Sequence, residues 1–467
     1  MNRTKINELS KKINETVVIK CWISICRNQG KMIFLDFRDA SGIVQGVILS
    51  DSAALEVGRS LRTEWVVEVT GKVNERPERN KKNDVQNGDI ELEVLDVQIL
   101  NKAETLPFPI DGDTRSVDEN IRLKYRYLDL RNDRMQKNIR NRSMVQKFLR
   151  DYLYNENFIE IETPLLSAPT PEGSRSFVVP SRIWKGDFYS LPQSPQQYKQ
   201  LLMVGGFEKY FQFAKCMRDE DTRGDRQPEF TQLDMEMSFT SEEGIMQLNE
   251  KMLIDLVSVN YPQKKIQQVP FPRMSYAEAM EKYGNDRPDI RNDKNDPNLL
   301  AFLWVIDFPM FEKTGEDNVD NTGEWTFTHN PFSKPKDQFM EDFMNMKNIA
   351  GILTTQYDIT LNGFEIGGGS IRNYESATLK KTFEIMDYDE DRIQVNFGHM
   401  LKAFDFGAPP HGGIAWGFDR LMMLLENEPN IREVIPFAKT GEGKDLMMNA
   451  PCDISSAQKS ELGIKIV

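Results

Sequence analysis

The sequence predicts an α+β protein of two unequal parts, and three observations carry that prediction. Residues 17–100 read as a run of short strands, residues 101–121 as a connector with Pro107 and Pro109, and the remainder mixes strand and helix signals. A length of 467 residues is long for a single core, so more than one domain is expected. Hydrophobic residues at 39% and charged residues at 28% describe an ordinary globular chain. No apolar run approaches the ~20 residues that cross a bilayer. The start, "MNRTKINELSKKINE", lacks the apolar core of a signal peptide, so a cytoplasmic protein without a membrane partner is expected. Cys21, Cys26, Cys216 and Cys452 show neither metal-ligand spacing nor a disulfide framework, which fits a reducing compartment. A net charge of −13 argues against non-specific coating of nucleic acid and confines such binding to local basic patches.

The first elements are the strands "TVVIKCWISI", "KMIFLDFRD", "GIVQGVILS", "WVVEVTGKV" and "DIELEVLDVQIL", separated by Gly, Asn and Asp turns. Five strands in this length suggest a small barrel of OB type. "DSAALEVGRSLRT" between the third and fourth reads as a short helix. Phe34 and Gln45 would stack on and hydrogen-bond a single-stranded base, although a core aromatic is the plainer reading of Phe34. "GKVNERPERNKK" (71–82) reads as a basic loop at the barrel's rim.

After the connector, residues 122–142 hold eight Lys or Arg against only Asp129 and Asp133, a stripe suited to tracking a phosphate backbone or to a solvated helix face. From 134 to 155 the period becomes helical, with Ile139, Val145, Phe148, Leu149 and Tyr152 roughly on one side. "NFIEIETPLL" then turns to strand and stops at Pro164.

"MRDEDTRGDRQPEFTQLDMEMSF" (217–239) crowds unlike charges beside an alternating stretch. One strand face carries Phe230, Gln232, Asp234, Glu236 and Ser238, the other Thr231, Leu233, Met235, Met237 and Phe239. The preceding "FQFAKCMRDE" also alternates, so two strands and an Arg-rich loop would present a polar floor. Arginine forks suit phosphate oxygens, and a carboxylate accepts from an amino group. This is how a nucleotide triphosphate site is built without a glycine-rich loop; a solvated hairpin tip is the alternative.

Four further stretches carry chemistry. "TPEGSRSF" (170–177) is a Pro/Gly-bounded loop with one acid. "LPQSPQQYKQLLM" (191–203) sets Gln196 and Lys199 one turn apart at a helix start. "NGFEIGGGSIRN" (362–373) places Glu365 and Arg372 around three glycines that admit close backbone approach. "GAPPHGGIAWGFDRLMMLL" (407–425) puts Arg420 at the front of an apolar helix. Alone, the glycines read as a turn and Arg420 as a cap.

Together these motifs resemble the class II aminoacyl-tRNA synthetases, the aspartyl branch in particular and its bacterial form. The resemblance covers nearly the whole chain. "RYLDLRNDRMQKNIRNRS" is similar to the start of that family's dimer-forming first motif, "RDEDTRGDRQPEFTQLDME" to its second and "GIAWGFDRL" to its third. It implies an anticodon-binding OB barrel over 1–105, a hinge over 106–133 and a catalytic domain over 134–467, built on an antiparallel sheet with helices. The three motifs then fall at about 134–164, 210–239 and 407–425.

The resemblance further implies activation of L-aspartate with ATP and Mg2+, then transfer to the 3′ end of tRNA(Asp), with tRNA(Asn) a second candidate acceptor, by a homodimer. Arg218 would hold the α-phosphate and the reacting carboxylate. Asp219, Glu220, Arg226, Gln227 and Phe230 would bind the rest of ATP, with Glu220 accepting from the adenine amino group and Phe230 stacking on the ring. The backbone of Gly417, Phe418, Asp419 and Arg420 would lie nearby, with Arg226 and Arg420 clamping the γ-phosphate. Glu365, with Asp358, would hold magnesium. Glu172, Gln196 and Asp234 would serve the aspartate ammonium group, and Lys199, Arg372 and His329 its side-chain pocket. Phe34 and Gln45 would read the anticodon.

Two departures stand out. The bacterial branch carries an extra domain between the second and third motifs, and "YGNDRPDIRNDKNDPNLLAFLWVIDFPMF" passes that point with only a short linker. Where the family has paired histidines before "PF", this chain reads His329-Asn330. A paralogous core that makes asparagine or modifies a protein would lack the barrel. A catalytically dead nucleic-acid binder would lack Arg218, Arg420 or Glu365, and all three are present.

Overall fold

In the computed structural model, which describes residues 2–82, 84–169, 174–315 and 323–465, the N-terminal alternation closes on itself. Strands β1 (Thr16–Asn28), β2 (Ile33–Asp39), β3 (Gly42–Ile48), β4 (Val66–Glu75) and β5 (Ile90–Asn101) form a closed barrel in the order β1-β2-β3-β5-β4. Alternation decides which side chains fill it. Ile33, Leu35 and Phe37 point inward and are fully buried, whereas Phe34, Asp36 and Arg38 lie half-buried on the outer face. Phe34 is therefore not a core aromatic. Register sets Phe34 opposite Val47 and Asp36 opposite Gln45, so Phe34 and Gln45 share that outer face. Gly46 lets the core close, because a Cβ there would meet the Phe37 ring at 2.4 Å. Helix α1 (Leu55–Ser60) links β3 to β4. The rim loop is shorter than expected, since Gly71–Glu75 continue β4.

The chain divides into two units, Met1–Pro109 and Ile110–Val467. The second is built on an eight-stranded sheet. Its strands are β6 (Ile159–Glu160), β7 (Lys209–Met217), β8 (Glu229–Ser238), β9 (Arg273–Ser275), β10 (Phe302–Ile306), β11 (Gln356–Leu361), β12 (Phe364–Ile371) and β13 (His411–Gly417). They lie in the order β9-β10-β11-β12-β13-β8-β7-β6. The central pairings are antiparallel, and the outermost strands β6 and β9 join in parallel. Phe239, expected on the apolar face of β8, lies beyond the strand's end with φ 55° and is 70% exposed.

Helices α2 (Asp133–Asn155), α3 (Gln196–Val204) and α4 (Glu242–Asn260) surround the sheet, together with α5 (Ser376–Ile385), α6 (Glu390–Phe404) and α7 (Phe418–Leu425). Asn132 caps α2 by accepting from the Arg134 amide. Val145, Leu149 and Leu153 of α2 pack with Phe211, Leu233, Trp304, Trp416 and Leu421 in the main core. A second core joins α5 and α6, where the Phe383 and Phe397 rings stack 3.9 Å apart.

The basic stripe of 122–142 does not face a phosphate backbone at four of its arginines. Arg122 donates to both oxygens of Glu433 at 3.0 and 2.8 Å. Arg134 reaches Glu433 and Glu428 at 2.8 and 2.9 Å. Arg126 bonds Asp129 at 2.6 Å, and Arg142 pairs with Asp419 at 2.6 Å. The sequence count weighed only local acids, and most of the partners come from 419–433.

Burial alone would raise the Glu433 carboxyl, but the bonds and charges of Arg122 and Arg134 overrule it and hold it at about 2. A carboxyl depressed in the folded state contributes stability that is present above its unfolded pKa of ~4.3 and lost as pH falls towards the folded value. Glu433→Gln should therefore cost about 3–5 kcal/mol at neutral pH, the scale for stranding buried charges. In urea unfolding the gap to wild type should shrink between about pH 4.5 and pH 2. A gap independent of pH would show that packing, not charge, holds this cluster.

Candidate active site

The glycines of β12 and β13 let the sheet carry polar groups at its centre. A Cβ on Gly369 would lie 2.0 Å from the Gly413 carbonyl oxygen, and one on Gly413 would lie 2.1 Å from Glu236 Oε2. Only the missing side chains allow these strands to pair with the Glu236 carboxylate lying over them.

That carboxylate belongs to a buried quartet. Lys199, on α3, donates to Asp234 Oδ1 at 2.6 Å and stands 3.2 Å from Glu236 Oε2. Arg372, just past β12, donates through Nε and Nη2 to Glu236 at 3.0 and 3.2 Å, and through Nη1 to Ser370 Oγ at 3.0 Å. All four charged side chains are at most 3% exposed. Burial would raise Glu236, yet the Arg372 and Lys199 charges hold it at about 2. Burial raises Asp234, with Lys199 opposing. Lys199 and Arg372 each already have a carboxylate partner, which the sequence did not show. The second oxygen of Asp234, Oδ2, is buried and meets the criteria for a hydrogen bond with none of the described residues.

Beside the quartet opens a cleft of about 330 Å³. Gln196, Lys199, Arg218, Glu220, Arg226, Gln227, Phe230, Asp234, His329, Asp358, Glu365, Arg372, Gly417, Asp419 and Arg420 all line it. Among the described residues, three buried donors there, Arg218 Nε, Gln227 Nε2 and Arg420 Nε, have no partner, nor has His329 Nε2. Buried N–H groups are almost always paired, so donors left open in one cleft mark a place for acceptor oxygens. The β7–β8 hairpin supplies the first two. The Arg218 guanidinium lies 5.2 Å from the Phe230 ring centroid, which leaves the ring's other face for a flat ligand.

Three of the expected nucleotide contacts have side chains that are turned away from the cleft or already committed to other residues. The Asp219 side chain is exposed and outside the cleft lining, its amide bonding the Arg175 carbonyl. Phe418 is fully buried in the core against Phe213, where Arg142 covers it. Asp419 lines the cleft but spends its carboxylate on Arg142 and on the Thr231 amide at 2.8 Å. Such commitments are invisible in a motif, because the partners lie on other elements. Glu220 and Arg226 pair with each other at 3.3 Å, and Ser174 Oγ also donates to Glu220. Arg420 donates to the Glu365 carbonyl and pairs with Asp225 at 3.1 Å. Glu172 lies outside the described residues.

Asp358 and Glu365 stand on the adjacent strands β11 and β12. Burial and then the Glu365 charge push the Asp358 carboxyl well above the usual range. Gly368 keeps the space beside it open, since a Cβ there would sit 2.5 Å from Asp358 Oδ1. Two like-charged carboxylates with room beside them fit a hard dication such as Mg2+, which takes one or two carboxylates and completes its shell with water and phosphate oxygens. Among the described residues no group of three or more His, Cys, Asp and Glu is arranged for a metal, so these two would be the protein's share. His329 packs edge-on to Phe308 at 4.6 Å, and burial lowers its pKa against the Glu365 charge. Asn330 accepts from the Phe332 amide at 3.0 Å and approaches Gln356, whose amide donates to Asp358 at 2.7 Å.

Sequence reasoning missed Glu236, Gln356 and Asp225 as site residues. Glu236 had a signal, since it shares the polar face of β8 with Asp234. Its pairing with Arg372, 136 positions away, had none.

Both parts of the chain match known families. Residues 118–441 match the model for tRNA synthetases class II (D, K and N), and residues 17–100 match the OB-fold nucleic acid binding domain. The aspartate--tRNA(Asp/Asn) ligase of Thermoanaerobacter sp. is 36% identical over 583 positions, covering 97% of this chain and 96% of that protein. The aspartate--tRNA ligase of Staphylococcus haemolyticus is 35% identical over 584, covering 97% of each. Both alignments are longer than this chain's 467 residues, so these relatives carry residues without a counterpart here. Among solved structures, the asparaginyl-tRNA synthetase of Pyrococcus horikoshii has a TM-score of 0.74 at 20% identity, covering 94% of this chain and 98% of that one. The aspartyl-tRNA synthetase of Entamoeba histolytica has a TM-score of 0.71 at 22% identity, covering 94% and 91%.

Proposed function

The chain belongs to the class II tRNA synthetases of the D, K and N group, and from that premise we propose that it activates L-aspartate with ATP and charges tRNA(Asp). One observation supports the substrate pair most directly: unpartnered donors gather in the cleft beside the buried Lys199–Asp234–Glu236–Arg372 quartet. The donors suit phosphate oxygens. The quartet offers an acceptor for an ammonium group and donors for a carboxylate.

In this reading the aspartate α-carboxylate attacks the α-phosphorus of ATP in line, pyrophosphate leaves, and an aspartyl-adenylate forms. A hydroxyl of the terminal tRNA ribose then attacks its carbonyl and AMP departs. No residue becomes a covalent nucleophile; positioning and charge stabilisation carry the rate. Arg218 holds the α-phosphate and reacting carboxylate, and Arg420 the γ-phosphate. Arg226 must leave Glu220 to join Arg420, which frees Glu220 for the adenine amino group over Phe230. Gln227 and the Gly417 backbone line the same nucleotide path. Magnesium, held by Glu365 and Asp358, would supply charge neutralisation on the phosphates. Gln196 and the open Oδ2 of Asp234 accept from the ammonium group, with Glu172 the third acceptor that the family pattern implies. Arg372 and Lys199 face the side-chain carboxylate, with His329 at its edge. The barrel, taken as residues 1–105, reads the anticodon through Phe34 and Gln45, and the remainder from about 134 is the catalytic domain. No helix among the described residues is long and apolar enough to cross a membrane, and we assign the protein to the cytoplasm, where its tRNA resides.

Amino-acid choice rests on Arg372. Glu236 fixes one edge of the guanidinium, so the remaining donors meet a carboxylate well and an amide NH2 badly. ATP–pyrophosphate exchange should depend on aspartate and not on asparagine; the reverse dependence would assign the core to asparagine. Arg372→Gln should lower aspartate-dependent exchange on the order of 100-fold, the scale of one or two charge-assisted bonds. Its ATP KM should stay within about threefold of wild type. Undiminished aspartate activation by that variant would remove Arg372 from the pocket.

The barrel prediction is independent. Phe34→Ala should weaken tRNA use by about 1–3 kcal/mol, the scale of one base stacked on an aromatic, without touching pyrophosphate exchange. Assaying tRNA(Asp) and tRNA(Asn) side by side tests both the residue and the acceptor; unchanged charging would take Phe34 out of the anticodon site.

The catalytic unit is proposed to work as a homodimer. Met144 and Tyr154 on α2, and Ile159, Leu165 and Leu166 after it, are 46–53% exposed, an apolar band that a second copy would cover. Light scattering under assay conditions should give twice the chain mass, and an active monomer would overturn the assignment.

A further inference from the structure

His411 takes no part in the steps above, yet it is completely buried in "PPHGG", one strand away from the quartet. Its Nδ1 lies 2.7 Å from the Pro409 carbonyl oxygen and its Nε2 3.2 Å from Gln200 Nε2. Gln200, also completely buried, accepts through Oε1 from Gln196 Nε2 at 2.9 Å. Gln196 and Gln200 are four apart on α3 and so share one face.

A single fixed atom orients this whole chain. The Pro409 carbonyl can only accept, so Nδ1 carries the hydrogen. Burial pushes the ring below the ordinary histidine range, with Arg372 and Lys199 acting the same way against Glu236 and the Pro409 bond, so the ring is neutral and Nε2 accepts. Gln200 must then present its NH2 to the ring and its oxygen to Gln196. Gln196 must then turn its NH2 toward Gln200, giving it one N–H. That turns the Gln196 carbonyl oxygen away from Gln200, and this oxygen takes no hydrogen bond from the described residues. A ring donating from both nitrogens would reverse every amide and aim the Gln196 NH2 at the ligand. Tyr374 and Phe404, the aromatic neighbours of the ring, bring no charge to disturb this order.

We infer that His411 is a positioning residue which, through Gln200, holds Gln196 with its acceptor oxygen toward the ammonium group of the amino acid. The inference rests on the reading of Gln196 as an ammonium contact. It identifies a selector for the α-amino group that touches no substrate.

The test compares aspartate with succinate, which keeps both carboxylates and lacks the ammonium group. In pyrophosphate exchange, His411→Leu should raise the aspartate KM about tenfold, the scale of one charge-assisted hydrogen bond. The inhibition constant of succinate should move less than about twofold, because it makes no such bond. His411→Gln should return the aspartate KM to within about threefold of wild type, since one amide can both donate to Pro409 and accept from Gln200. Equal weakening of aspartate and succinate, an unchanged aspartate KM, or a glutamine variant as poor as the leucine one would each overturn the inference. Should thermal melting show that His411→Leu does not fold, Gln200→Met breaks the same chain one link nearer and carries the same expectations. Absence of aspartate-dependent exchange in the unmodified protein would instead sink the functional reading, and that outcome is seen before any variant is made.

Discussion

Compensation of charge in a place without water is the constraint on which the site depends. Glu236 is completely buried, and an isolated carboxylate there would be protonated or would unfold its surroundings. Arg372 and Lys199 keep it ionised, and Asp234 balances Lys199. Each member is tolerable only because the others are present, so four elements, α3, β8, the end of β12 and the glycines of β13, are locked to one geometry. The glycines are part of the same constraint, because a side chain at Gly413 would occupy the space of the Glu236 carboxylate.

In the proposed reading, a site made this way is stiff where the amino acid would bind and less fully paired where the nucleotide would bind. The quartet and the Gln196–Gln200–His411 chain spend nearly all their hydrogen-bonding capacity internally, leaving single atoms such as Asp234 Oδ2 for a ligand. The side proposed for the nucleotide instead keeps buried nitrogens of Arg218, Gln227 and Arg420 without a partner among the described residues. Arg226, whose side chain is 44% exposed, meets Glu220 in a bond that solvent weakens and a phosphate can replace. The two ligands make opposite demands. Discrimination between similar small acids needs fixed donors and acceptors, whereas a triphosphate needs charge that can rearrange around it.

The second buried ionic cluster, around Glu433, shows the same economy applied to the frame. Arg122, Arg134 and Arg142 tie α2 and the turns before it to Glu428, Glu433 and Asp419. Asp419 also accepts from the Thr231 amide on β8. The front of α7, the nucleotide hairpin and α2 are thereby registered against one another, which places Arg420 at the cleft. The side chains of Asp419 and Phe418 serve this frame.

Local pattern was enough for much of this. Alternation over 17–100 suggested a small barrel, because side chains in a strand must alternate whatever the rest of the chain does, but that Phe34 and Gln45 share its outer face followed only from the register of β2 against β3. The crowding of Arg218, Glu220, Arg226 and Phe230 beside a strand was legible because a hairpin is short enough for backbone geometry to hold its members together, whereas Gln196, Lys199, Glu365, Arg372 and Arg420 stood out only through the resemblance of their combined motifs to a family. Pairing across the chain was not legible. That Arg372 belongs to Glu236, Arg122 to Glu433 and Gln200 to His411 follows only from strand order β12-β13-β8 and from helices laid over it. A charge in the sequence carries its sign but not its partner. Burial makes the partner obligatory, and only the tertiary structure decides which of many oppositely charged residues arrives.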